Sequence, residues 1–175
     1  TFQLGTASFG REGAAAPIAV GAPSVDGERV DIAHAGLTEW FVARPQGVEH
    51  GWTLTRRPGD GDSPAWIGLR VEGDLAMRLV DDGSGAYLVD RTGNVRLVYG
   101  WIRAWDATGA DVRAELAPGP WGVGLRVHDR GAVYPITVDP LLYSGWAFEP
   151  NQAGAAGNCG CVDNGLRTRS AGDVN

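Results

Sequence analysis

Tyr134-Pro135-Ile136-Thr137-Val138-Asp139-Pro140-Leu141-Leu142 is the stretch on which the reading of the fold turns. Before it come some 130 residues of short runs that alternate apolar and polar side chains. After it come about 33 residues rich in Gly, Ala and Asn that settle into no period. The stretch itself alternates, with Tyr134, Ile136 and Val138 on one face and Pro135 and Thr137 on the other. Pro135 has no N–H to give to a ladder, which predicts an edge strand or a proline turned outward. Asp139-Pro140 is expected to end the strand, because a residue before proline avoids helical geometry and Asp favours turns. The chain is therefore expected to divide into a domain over 1–142 and a second piece over 143–175.

The same period of two runs upstream through nearly every segment, and helical periodicity is scarce. Leu37–Arg44 and Val48–Arg56 flank Pro45-Gln46-Gly47 and read as a hairpin. In the run after the loop Pro58–Pro64, Ile67, Leu69 and Val71 share a face opposed by Trp66, Arg70 and Glu72. Val95, Leu97, Tyr99 and Trp101 are expected to line one side of the longest strand. Trp121, Val123, Leu125 and Val127 alternate with Gly122, Gly124, Arg126 and His128. About eleven strands follow, with turn signals every 8–12 residues, the spacing of an antiparallel sandwich or barrel. The fold class is all-β, an antiparallel β-sandwich.

At 175 residues, 43% of them apolar, the chain can bury a full domain core. Its 27 glycines and 10 prolines fit many turns between short elements. All 15 basic residues are Arg, and the net charge is −6 with no basic cluster. That balance argues against nucleic acid or an anionic membrane as partner. No apolar run reaches the roughly 18 residues of a membrane helix. The chain starts at Thr1 rather than Met, as a mature or trimmed secreted chain would.

Reactive side chains form no known pattern. His34, His50 and His128 fall on different strands, and no His-Glu-x-x-His spacing occurs. Asp82-Gly83-Ser84-Gly85 is the nearest approach to a nucleophile turn, and it reads as an ordinary hairpin turn. No catalytic residue is assigned. Cys159-Gly160-Cys161 could form a local disulfide, stay as thiols, or contribute two of the four ligands of a metal site. Seven tryptophans are many for this length. Trp101 and Trp121 are expected in the core. Trp66, facing the same way as Arg70 and Glu72, is the candidate exposed aromatic, able to stack on a sugar ring.

Taken together, several pieces resemble an N-terminal β-sandwich domain that precedes FG-GAP (integrin-alpha-like) β-propeller repeats in bacterial secreted and surface proteins. They are Gly36-Leu37-Thr38-Glu39-Trp40-Phe41, Pro45-Gln46-Gly47-Val48-Glu49-His50-Gly51-Trp52-Thr53-Leu54 and Gly73-Asp74-Leu75. Val98-Tyr99-Gly100, Trp105-Asp106-Ala107-Thr108-Gly109 and Tyr134–Leu142 complete the set, which covers roughly residues 2–142. The tail Ser170-Ala171-Gly172-Asp173-Val174-Asn175 resembles the entry to an FG-GAP calcium loop, which continues D-x-N-x-D-G. The resemblance implies Asp173 and Asn175 as two oxygen ligands of an incomplete Ca²⁺ loop, in a repeat that begins at the C-terminal end. For residues 1–142 no cofactor is expected.

The function so implied is a non-enzymatic extracellular structural or adhesion module. It would support surface attachment or assembly, partnered by its own downstream repeat domain and by surface proteins, matrix proteins or glycans. A carbohydrate-binding module is the alternative, and a solvent-facing platform of two or more aromatics would favour it. An accessory domain of a secreted hydrolase is a third reading.

Overall fold

The computed structural model describes residues 1–120 and 122–144, and among them there is no helix. Thirteen antiparallel strands run Phe2–Arg11 (β1), Ala16–Pro17 (β2), Pro23–Asp26 (β3), Arg29–His34 (β4), Leu37–Arg44 (β5), Gly47–Leu54 (β6) and Ala65–Gly73 (β7). They continue as Ala76–Leu79 (β8), Ala86–Val89 (β9), Val95–Trp105 (β10), Ala114–Gly119 (β11), Gly122–Val127 (β12) and Ile136–Ser144 (β13). They form a five-stranded sheet in the order β11-β12-β7-β1-β2 and an eight-stranded sheet in the order β3-β4-β5-β6-β13-β10-β9-β8. The all-β expectation holds, and the arrangement is sandwich-like. The count exceeds the expected eleven by β2 and β3, whose residues are exposed throughout and carry no alternating apolar signal.

One core lies between the sheets. Phe9, Ile67, Leu69, Leu116, Leu125 and Val127 of the smaller sheet meet Leu37, Trp52, Leu54, Leu88, Tyr99, Ile136 and Val138 of the larger. These are the positions that period two turns inward, since successive strand side chains point to opposite faces. The hairpin forms as read: Leu37 faces Leu54 and Arg44 faces Gly47 across β5 and β6.

The stretch on which the reading turned behaves otherwise than expected. β13 is no edge strand. It lies between β6 and β10, and it runs through Asp139-Pro140 to Ser144. Pro135 precedes the strand, joined to Tyr134 by a cis peptide. Pro140 is tolerated inside because β10 bulges opposite it. Gly100 pairs with Leu141 and Arg103 with Asp139, so Trp101 and Ile102 together face Pro140. A bulge drops a ladder bond, and proline has no N–H to donate there.

That bulge also overturns the placement of Trp101. It is the one non-glycine residue with positive φ among those described, at φ 52, and it is 54% exposed. The alternation Val95, Leu97, Tyr99, Trp101 assumes an unbroken strand; the extra residue turns Trp101 out of the core. Trp121 lies outside the described residues.

Two copies of one turn hold the ends of β10. In Asp90–Asn94, Asp90 Oδ1 accepts from Thr92 N, Thr92 Oγ1 and Asn94 N. In Asp106–Ala110, Asp106 Oδ1 accepts from Thr108 N, Thr108 Oγ1 and Ala110 N, and its Oδ2 accepts from Val133 N. The glycine of each turn, Gly93 or Gly109, takes the positive φ that closes it.

Candidate functional site

A row of polar side chains crosses the core of the larger sheet. Glu39 and His50 occupy inward slots of β5 and β6, and Tyr99 an inward slot of β10. Glu39 Oε1 lies 2.7 Å from His50 Nε2 and accepts from Thr6 N at 3.1 Å. Glu39 Oε2 lies 3.2 Å from His34 Nε2, while His34 Nδ1 lies 3.0 Å from the Ala19 carbonyl. The Tyr99 hydroxyl is 3.2 Å from His50 Nδ1. Trp52 Nε1 donates to Thr6 Oγ1 at 2.8 Å, so Thr6 ties the smaller sheet to the row. Phe41 stacks flat on His50, centroids 4.4 Å apart.

Burial pushes the Glu39 carboxyl up, but the bonds from His50, His34 and Thr6 overcome it and hold the group below its ordinary value. Burial lowers the His50 pKa against the pull of Glu39. Burial also raises the Tyr99 hydroxyl well above the usual phenol, so it stays a donor. The Ala19 carbonyl can only accept, so His34 donates to it from Nδ1. Two histidines that the sequence left on separate strands thus converge on one carboxylate. Their side chains are about 1% exposed, and a row so enclosed offers a substrate no approach.

The outer face of the same sheet presents a different surface. Arg78, Tyr87, Val98 and Tyr143 stand directly opposite one another across β8, β9, β10 and β13. Cross-strand partners share a face, and this one is opposite the face carrying Tyr99 and Ala86. Trp101 joins the row from its bulge, its ring centroid 5.8 Å from that of Tyr143 at an interplanar angle of 42°. Tyr87 is 45% exposed. The Tyr143 hydroxyl is raised by burial and by its neighbour Tyr87, and it remains protonated as a donor. Trp101 and Tyr143 thus form the tilted part of an aromatic platform that Tyr87, across Val98, extends toward Arg78.

Comparison with known protein families, curated proteins and solved structures finds no match for this chain.

The aromatic singled out from sequence is not on this platform. Trp66 does point to the outer face of the smaller sheet, as its alternation requires, but it is 3% exposed. A Cβ on Gly124 would fall 2.2 Å from the indole, and one on Gly119 would fall 2.3 Å from it. The ring therefore lies flat across a lane where the neighbouring strands carry no side chains. Trp40 uses the same device in the larger sheet, its ring over Gly51 and under the Arg29 guanidinium at 4.6 Å. Glycine inside a strand pattern signals such a close approach, and that signal in Gly51, Gly119 and Gly124 was the one to read. Cys159, Cys161, Asp173 and Asn175 lie outside the described residues. Ser84 sits in the turn between β8 and β9, where its backbone N–H donates to Asp82. His128 is not with the other histidines; it meets Glu115 on the outer face of the smaller sheet.

Proposed function

We propose that this chain is a non-enzymatic extracellular adhesion module, the β-sandwich that leads an FG-GAP-type calcium-binding repeat array in a secreted or surface protein. The observation that carries the adhesive part is the platform of Trp101, Tyr143 and Tyr87 on the outer face of the larger sheet. Large apolar side chains gathered on one exposed face mark contact surfaces, and aromatics dominate the energetics of such contacts. Trp101 is held there in a conformation that non-glycine residues seldom adopt, and strain of that kind gathers at functional positions. The calcium-binding repeat is supported by the resemblance of Asp173 and Asn175 to the start of an FG-GAP loop.

The platform also favours a second reading, a carbohydrate-binding module. The C–H face of a pyranose is apolar and packs on an indole or phenol ring, while Arg78 and the tyrosine hydroxyls can bond its hydroxyl rim. Binding of the chain to a glycan array and to immobilised matrix proteins, with Trp101→Ala in parallel, tests both. Retention on either surface that W101A abolishes supports an adhesive face. Equal retention by W101A removes the platform as its basis.

A further inference from the structure

A second surface feature lies away from the aromatic platform. The end of β1, the β4–β5 turn and the segment after β6 surround an open depression of about 460 Å³. Phe9, Gly36 and Pro58 give it an apolar side; Arg11, Arg56 and Arg57 give it three guanidinium groups, against the single carboxylate of Asp60.

Arg11 is the informative one. Its side chain is 5% exposed, and its Nη1 serves both Asp129 Oδ1 at 2.7 Å and the Ser63 carbonyl at 2.8 Å. Asp129 Oδ2 is taken by the Tyr134 hydroxyl at 2.6 Å. Nε and Nη2 of Arg11, the opposite edge of the guanidinium, are buried and have no hydrogen-bond partner among the described residues. That edge carries two parallel N–H groups, the fork that matches a carboxylate, sulfate or phosphate. Buried donors left unmade are costly, and native proteins seldom leave them so.

The other two arginines are also underused. Arg56 makes no ion pair among the described residues. Arg57 donates to the Gly61 carbonyl and approaches Asp62 and Asp129 only at 3.9 Å. Asp129 is already committed to Arg11 and Tyr134, and Asp62 is 84% exposed. The depression thus keeps unspent cationic donors.

We propose that it binds an oxyanion group (carboxylate, sulfate or phosphate). Arg56 and Arg57 contact the group from the open side, a side-chain adjustment opens the buried Nε–Nη2 edge of Arg11 to it from beneath, and the Phe9–Pro58 wall packs against its carrier. The proposal does not depend on the aromatic platform.

The test is a titration of the full chain with sodium sulfate, sodium phosphate and sodium glucuronate at ionic strength held constant with chloride. Arginine Nε–H resonances and Tm are the readouts. The expected result is a saturable shift with at least one of the three, accompanied by a rise in Tm that follows mass action. Glucuronate alone would point to an acidic sugar, sulfate alone to a sulfated one, and phosphate alone to a phosphorylated ligand. Arg56→Gln and Arg57→Gln should each weaken the winning anion by about tenfold or more. Arg91→Gln, on the surface beside Asp74, should leave it unchanged. Shifts that never saturate, or that R91Q weakens as much as R56Q, overturn the proposal.

Discussion

His50 Nε2 lies 2.7 Å from Glu39 Oε1, an oxygen that also accepts the Thr6 N–H. His50 therefore donates from Nε2, and its Nδ1 is left to accept from Tyr99. Both Glu39 and His50 hold folded-state pKa values below their ordinary 4.5 and 6.5. Each thus binds its proton more readily in the unfolded chain, and each contributes stability above its unfolded pKa that fades as pH falls. Tm should drop as pH goes below about 6.5 through His50, and drop again below about 4.5 through Glu39. His50→Gln should remove the loss between pH 7 and 5. Thermal unfolding across pH 8 to 4 checks this, and a wild-type Tm that stays level between pH 7 and 5 would refute it.

The identity of the acid at position 39 matters less than its hydrogen bonds. Glu39→Gln keeps an oxygen for Thr6 and His50, and its amide can donate to His34 Nε2. Glu39→Ala strands all of these partners in the core. E39Q should cost about 1 kcal/mol and E39A about 3 kcal/mol or more, measured by urea unfolding. Equal losses would mean that the row is bystander polarity.

Arg11 and Asp129 set the same question in charges, since both are nearly inaccessible. Asp129→Ala leaves a buried guanidinium unpaired and should cost about 3–5 kcal/mol. Tyr134→Phe removes a single bond to Asp129 and should cost about 1–2 kcal/mol. Equilibrium unfolding in denaturant ranks the two; the reverse order would contradict the pairing.

The flat seat of Trp66 predicts coupling with the glycine beneath it. Gly124→Ala brings a methyl to 2.2 Å from the ring, so the indole must lift, while Trp66→Ala should cost about 3–5 kcal/mol. In the W66A background, Gly124→Ala should be almost free. A double-mutant cycle on urea stabilities measures this, with a coupling of at least about 1 kcal/mol expected. Additivity would place the ring elsewhere.

Much of the architecture was legible because it rests on period two. Ile67 with Leu69, Leu125 with Val127, and Ile136 with Val138 alternate cleanly, and each pair is in the core. What the pattern could not carry is register. One bulge opposite Pro140 moved Trp101 from an expected core slot to the surface, and one lane of two glycines, Gly119 and Gly124, moved Trp66 the other way. Local alternation says which residues share a face, not which partner strand lies alongside or whether it bears a side chain. The buried row was hidden for the same reason. Glu39 stands between inward Leu37 and Phe41, and His50 two residues before inward Trp52, but only the β5–β6 register, which sets Glu39 opposite Trp52 and His50 opposite Phe41, brings them together.

The twin turns should differ in strength. Asp106 accepts four hydrogen bonds, including Val133 N from the segment before β13, and those bonds hold its pKa at about 2. Asp90 accepts three, all from its own turn. Asp106→Ala should therefore lower Tm more than Asp90→Ala. The difference should shrink as pH falls from about 4 toward 2, where Asp106 takes up its proton. Parallel melts at pH 7 and pH 3 test both the order and its pH dependence.

Trp101 allows fold and function to be separated. At φ 52 an L-residue carries strain of about 1 kcal/mol that glycine does not. Its side chain is more than half exposed, so little packing is lost on removing it. Trp101→Gly should therefore leave Tm unchanged or raise it by a few degrees, within the roughly 4–8 °C that 1 kcal/mol is worth in a domain near 100 residues. The same substitution removes the largest ring of the platform and should abolish retention on whichever surface the wild type binds. Trp101→Ala keeps the strain and loses the ring, so it should bind no better than W101G and melt lower. A W101G variant that melts well below wild type would show Trp101 to be structural, and the platform would lose its claim to be a binding face.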